Sequence, residues 1–181
     1  MAVKLIFSLI IFSVFLTWIF TNPLSLQKQL FNFLTRRGLS ITLIVILMLL
    51  QIWTPYLQVS LPDGIRLIKL IGVFIFVLGS ILSVWAKLTM KENWGVPAEH
   101  NIDRQKILVT SGPFSLTRNP IYVGLTSMFI GFELYENSLL ILLIIPLYYY
   151  VYISIRQEEK LLEKYFGREY LEYKKKIPRF F

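Results

Sequence analysis

Four apolar runs divide this chain: Leu5 to Phe20, Leu39 to Trp53, Ile65 to Trp85, and a longer stretch from Ile121 to Ile155 that Glu133, Glu136 and Asn137 interrupt near its middle. A helix needs roughly 20 residues to cross about 30 Å of hydrocarbon, so the long fourth run predicts a hairpin of two short helices rather than one span. The first helix of that hairpin is expected to cross only in part, because polar backbone at depth survives only where protein shields it. The pattern therefore predicts an all-α integral membrane protein of about five transmembrane helices.

The basic residues between the runs supply an orientation, since lysine and arginine are retained on the cytoplasmic side. Residues 21–38 hold Lys28, Arg36 and Arg37, residues 54–64 hold none, residues 87–120 hold five, residues 133–138 hold none, and residues 156–181 hold eight. This alternation predicts an N-terminus outside and a cytoplasmic C-terminus. Only Lys4 dissents, and Arg66 and Lys69 can snorkel from the start of the third run. Lys4 before an apolar run also suits a signal peptide, but no small-residue cleavage site precedes Thr21-Asn22-Pro23. Compact loops point to a prokaryotic cell membrane.

Composition sharpens this picture. Of 181 residues 55% are hydrophobic and 15% aromatic, too many for one soluble core of this size to hide. The formal charge of +8 lies between and after the apolar runs, which is a membrane topology signal and argues against nucleic-acid binding. With no cysteine and one histidine, His100, disulfides, thiol nucleophiles, iron–sulfur clusters and Cys/His zinc sites are excluded, and no metal site is expected. Residues 1–86 read as a three-helix scaffold and residues 87–181 as the part that carries a site, within one structural domain.

Special residues gather in the loop from Lys87 to Thr117, which contains Asn93-Trp94-Gly95, Pro97, Glu99, His100, and Lys106 through Phe114. Long ordered loops are disproportionately functional. The loop feeds Arg118-Asn119-Pro120-Ile121-Tyr122, where Asn119 can cap a helix whose first residue is Pro120. Arg118 beside such a positive helix end suits a carboxylate or phosphate, or it is an ordinary interfacial anchor. Beyond the last run lie Glu158 and Glu159, which suit either a site or an i,i+4 network with Arg156, Lys160 and Lys164. Gly167 marks a helix C-terminus, followed by a short amphipathic helix.

Together the series Leu108-Val109-x-x-Gly112-Pro113-Phe114, Arg118-Asn119-Pro120-x-Tyr122-x-Gly124, Glu158-Glu159 and Phe166-Gly167-x-Glu169-Tyr170-x-x-Tyr173-x-x-x-Ile177-Pro178 resembles the isoprenylcysteine carboxyl methyltransferase family and its phospholipid methyltransferase relatives. The resemblance covers residues 87–181 in order. It implies a cytoplasmic C-terminal region that binds S-adenosyl-L-methionine through Lys106, Ile107, Leu108, Val109 and Phe114, the helix start at Asn119, Pro120, Ile121 and Tyr122, and Glu158, with Glu99 near a further contact. On this reading Arg118 receives the methionine carboxylate, Glu158 the ribose hydroxyls or amino group, and Leu108, Val109 and Phe114 wall the adenine. Two positions depart from the family pattern: Lys106 and Asn119 stand where histidine is usual. Ser154 stands where animal members carry a substrate-contacting arginine, a role that Arg156 is expected to take.

The expected activity is methylation of the carboxylate of a prenylcysteine-like or other lipophilic substrate drawn from the membrane lipids. Such a transfer needs positioning rather than His or Cys machinery, because the cofactor brings an activated methyl group. Tyr148, Tyr149, Tyr150 and Tyr152 either line a lateral substrate entrance or form an interfacial aromatic belt. Lipid amine N-methylation is the alternative within the enzyme class. A non-catalytic transporter or assembly protein is the alternative outside it, although the first three runs nearly lack the intramembrane charges of a transport path.

Overall fold

The computed structural model describes residues 2–21, 38–54, 66–91 and 107–181. Its elements are α1 (Ala2–Phe20), α2 (Gly38–Trp53), α3 (Arg66–Met90), a 3-10 turn (Gly112–Ser115), α4 (Pro120–Glu136), a second 3-10 turn (Leu139–Leu143), α5 (Ile144–Phe166) and α6 (Arg168–Lys176). No strand occurs among the described residues. Three segments are long and apolar enough to cross a membrane unaided, namely Val3–Phe20, Arg66–Met90 and Leu139–Phe166. The shorter α2 and α4 have 16 and 17 residues. At 1.5 Å per residue these two reach about 25 Å each, close to the hydrocarbon thickness. The chain is an all-helical, multi-pass membrane protein.

Contacts between helix ends define two poles. Lys4 at the start of α1 lies 3.7 Å from Glu136 at the end of α4, and the Gln51 side-chain amide near the end of α2 donates to Glu133 at 3.0 Å. Arg66 and Lys69 of α3 border the same crevice as Val3 and Phe7 of α1. At the opposite pole Trp18 of α1, Ile44 of α2 and Tyr122 of α4 share another crevice. Successive helices α1 to α4 therefore run in alternating directions.

The expected hairpin in the fourth run is present, and it turns where the polar residues lie. Asn137 ends α4 in the left-handed conformation (φ 52°, ψ 45°), which asparagine tolerates better than most side chains. The Ser138 hydroxyl then accepts the Leu140 N–H at 3.1 Å to start the 3-10 turn. The second arm is not short: α5 continues for 23 residues to Phe166. Its polar end, Arg156 to Lys164, keeps the helical path beyond the apolar part.

Packing of α3 against α4 was not foreseen from the apolar pattern. Gly72 and Gly79 on α3 face Gly131 and Gly124 on α4, and the two backbones almost touch. A Cβ added at Gly72 would lie 2.6 Å from the Gly131 carbonyl oxygen, and one at Gly79 would lie 2.6 Å from that of Gly124. Within lipid, helix association gains little from the hydrophobic effect, so close van der Waals approach between small residues supplies the attraction. Phe76 and Phe132 fill the space beside the seam, and Phe7 of α1 meets both rings edge-on at 4.5 and 5.6 Å.

Replacement of Gly79 by valine should force the helices apart and lower the thermal unfolding midpoint in detergent by roughly 5 °C or more, an overpacking effect. Alanine at Phe74, whose side chain points outward at 65% exposure, is the control and should leave the midpoint nearly unchanged.

Candidate functional site

At the pole where α4 begins, the backbone is shaped by the residues preceding it. Gly112 adopts φ +59°, open to glycine and strained for other side chains, and brings Pro113 and Phe114 under the end of α3. The Phe114 carbonyl accepts the Tyr173 hydroxyl at 2.6 Å, which ties this turn to α6. Burial pushes the Tyr173 phenol up to about 12, so it remains a donor throughout the neutral range. Pro120 then occupies the first turn of α4, where its missing N–H costs nothing. Asn119 precedes it as the cap residue, but its side chain makes no capping bond; the amide donates instead to the Arg179 carbonyl at 3.2 Å.

Arg118 anchors the centre of the site. Its Nη2 and Nε donate to Glu159 Oε1 at 2.7 and 3.2 Å, and its Nη1 donates to the carbonyls of Lys174 and Ile177, both at 2.9 Å. Those carbonyls belong to the end of α6, so the guanidinium closes a helix terminus that would otherwise lack partners. The other oxygen of Glu159 accepts Arg179 Nη2 at 2.6 Å, with Nε of Arg179 at 3.1 Å from Oε1. The hydrogen bond to Glu159 holds the Arg179 guanidinium above its ordinary value. With side chains of Arg118 and Glu159 only 7% and 5% exposed, this is a buried, fully bonded charge cluster.

The neighbouring carboxylate points elsewhere. Glu158 Oε2 accepts the Tyr122 hydroxyl at 3.1 Å, linking the first turn of α4 to the far end of α5. The Tyr122 ring also lines a narrow apolar crevice with Ile11, Val14 and Trp18 of α1, Met48 of α2, Leu125 of α4, and Leu147, Tyr150 and Val151 of α5. A carboxylate and a hydrocarbon slot thus meet at one side chain.

The expected site residues fall into three groups. Asn119, Pro120, Ile121, Tyr122 and Glu158 are brought together. Phe114 and Ile121 are buried in the main apolar cluster, so their side chains offer a ligand little surface, whereas Ile107 is exposed and Leu108 and Val109 are partly so. Glu99 and Lys106 lie outside the described residues, as do Asn93, Pro97 and His100. Arg118, expected to receive the methionine carboxylate, pairs in this structure with the carboxylate of the protein's own Glu159, which meets the need of a buried guanidinium for a counter-charge. Arg156 is exposed on α5, its guanidinium 5.9 Å from the Tyr152 ring centre, while Ser154 is buried. Neither Glu158 nor Glu159 forms the local i,i+4 network that charge spacing allowed. Arg179 and Tyr173 carry no role that the sequence assigns, because their partners lie 20 and 59 residues away.

The phospholipid methyltransferase family model matches residues 67–169. A protein-S-isoprenylcysteine O-methyltransferase of Xenopus laevis is 32% identical, the alignment covering 92% of this chain and 58% of that protein. The human protein of the same name is 28% identical over 94% of this chain and 60% of its own length. A cobalt-zinc-cadmium resistance protein, CzcN, of Cupriavidus metallidurans is 27% identical over 89% of this chain and 71% of its own. The solved structure of a eukaryotic intramembrane Ras methyltransferase, isoprenylcysteine carboxyl methyltransferase, superposes with a TM-score of 0.52 at 23% identity, covering 86% of this chain and 52% of that one, a likeness of fold. The chain thus spans about three fifths of the length of these isoprenylcysteine methyltransferase relatives. With the match extending over more than half of the sequence and across both Arg118-Asn119-Pro120 and Glu158-Glu159, the chain belongs to the phospholipid methyltransferase family.

Proposed function

We propose that this protein is an S-adenosyl-L-methionine-dependent methyltransferase that esterifies the carboxylate of a lipophilic, prenylcysteine-like acceptor. The observation that carries the reading is the Tyr122–Glu158 hydrogen bond at the mouth of the apolar crevice, where a polar anchor and a hydrocarbon slot share Tyr122. The names of the isoprenylcysteine methyltransferase relatives support the acceptor class.

The donor set fits a cationic sulfonium nucleotide. Glu158, a half-buried residue, offers a carboxyl group for hydroxyl or ammonium donors, and the first turn of α4 offers backbone N–H groups at its positive end. Ile107 and Leu108 form an accessible apolar edge, and Glu99 and Lys106 complete the expected contacts. When bound, the cofactor supplies a methyl group already activated on sulfur. Transfer of that methyl group to an acceptor carboxylate oxygen would leave a neutral thioether behind and release no proton, so no general base is required. What the chain provides is placement: Tyr122 and Glu158 hold the donor side, the crevice holds the acceptor's tail, and exposed Arg156 meets its carboxylate. Arg118 acts as a positioning residue, fixing Glu159 so that Glu158 on the next position faces Tyr122. Lipid amine N-methylation is the reading that the family's description favours. It needs a base for the ammonium proton, and with both Glu159 oxygens bonded to guanidinium groups that task would fall to Glu158.

The protein sits in a cell membrane, by this reading a prokaryotic one, with the N-terminus outside and the Arg118 pole in the cytoplasm. Loop charge supports that orientation.

Calorimetric titration of the detergent-purified protein should show saturable S-adenosylmethionine binding, weakened about tenfold or more by Glu158→Gln and by Tyr122→Phe, the usual effect of losing a hydrogen bond to a charged group. Arg156→Ala should leave that affinity intact and lower transfer to lipid thioether acids. Unchanged binding in both of the first two variants refutes the site. For orientation, this naturally cysteine-free chain can be labelled with membrane-impermeant maleimide in intact cells. Leu139→Cys should react from outside, and Ser111→Cys only after permeabilisation; the reverse result inverts the topology.

A further inference from the structure

Beyond α6 the chain doubles back over the site. The Pro178 carbonyl accepts the Arg118 backbone N–H at 2.9 Å, and the Arg179 carbonyl accepts the Thr117 hydroxyl at 2.8 Å and the Asn119 amide at 3.2 Å. The Arg179 guanidinium holds Glu159 and lies 5.4 Å from the Tyr152 ring centre. This strap is thus held by its backbone and by Arg179, and the side chain that follows is not needed to hold it. That side chain is Phe180.

The Phe180 ring packs against the cluster of Tyr122, Val151 and Ile155, and its centre is 6.2 Å from that of Tyr148. Tyr122 and Val151 also line the apolar crevice, as do Leu147 and Tyr150 beside this cluster. The ring therefore packs behind Tyr122 and Val151, two of the residues that line the slot, beside the Tyr122–Glu158 hydrogen bond, without lining the slot itself. An apolar slot alone holds a flexible tail without fixing its register, because the hydrophobic effect is not directional. Methyl transfer, by contrast, requires reacting atoms within about 3.5 Å and in line. A slot wall backed by a rigid aromatic ring supplies the missing register.

We propose that Phe180 is a specificity-determining residue, its ring backing the Tyr122 and Val151 wall of the crevice and so selecting lipophilic acceptors by the length and bulk of tail that this wall lets lie beside Glu158. The inference rests on the methyltransferase reading above and assigns the backing of that wall to a side chain outside the helices. Because the strap is held by other groups, removal of the ring should alter selectivity and leave the rest of the site in place.

The test measures kcat/KM for a series of cysteine thioether acids bearing straight-chain, farnesyl and geranylgeranyl groups, together with cofactor affinity and thermal midpoint, in wild type, Phe180→Ala and Phe180→Leu. Phe180→Ala should shift the ratio of kcat/KM between the longest and shortest acceptors by about tenfold, the scale on which an apolar pocket discriminates by size. Phe180→Leu should fall between the two, and S-adenosylmethionine affinity should stay within about twofold in both variants. Intact transfer with an unchanged ratio overturns the role of Phe180 alone. A uniform loss with every acceptor, accompanied by a lowered midpoint or lost cofactor binding, overturns it in favour of a purely structural ring. A wild type that neither binds cofactor nor transfers methyl overturns the methyltransferase reading itself, and this inference falls with it.

Discussion

Among the described residues, Glu159 is the carboxylate on which two guanidinium groups converge, and the geometry of the site follows from it. A buried charge must be neutralised nearby or the fold loses several kcal/mol, and here the neutralisation comes from Arg118 at the start of α4 and Arg179 in the C-terminal strap. Three segments far apart in the chain are thereby locked to one point. Arg118 spends its remaining donors on the carbonyls that end α6, so the same ion pair docks the short polar helix beneath α4 and α5. Glu158, one residue earlier on the helix, is turned by that arrangement toward Tyr122.

The glycine seam between α3 and α4 serves a different purpose. It sets the distance of α4 from the scaffold with the rigidity of touching backbones, and α4 carries the Asn119-Pro120-Ile121-Tyr122 turn. Small shifts in α4 would move Tyr122 relative to Glu158, and enzymes that work by positioning lose rate steeply with such shifts. The close seam and the buried ion cluster at the start of α4 together hold the site from two directions.

On the proposed methyltransferase reading, the chemistry suits the modest catalytic inventory. An activated methyl group removes the need for a nucleophile or a metal, so a chain without cysteine and with one histidine loses nothing by their absence. What it must supply instead is a meeting place for a polar nucleotide and an apolar acceptor. The crevice that begins among α1, α2, α4 and α5 and ends at Tyr122 is such a place, reached without lifting the acceptor's tail out of an apolar environment.

The sequence by itself determined the membrane class, the helical runs, the hairpin turn at Glu133 to Asn137, the end of α5 at Gly167 and the membership of the family. Each of these is written in hydrophobic length, local turn chemistry or a contiguous motif, all properties of neighbouring residues. It also placed Tyr122 and Glu158 in one site through the resemblance, while leaving their hydrogen bond unstated. Tertiary structure decided the rest. Arg118 looked like a ligand receptor because its local setting, beside a helix start, suits an anion, and only burial against Glu159 assigned the anion to the protein itself. The register of Gly72 and Gly79 with Gly131 and Gly124 depends on how two separate helices cross, and neither run contains that information alone. Arg179 and Phe180 read as the end of a basic tail until the chain's return path brought them against residues of α4 and α5. The division has one physical reason: bilayer thickness and backbone conformation act on residues in sequence order, whereas charge neutralisation and close packing act on residues adjacent in space.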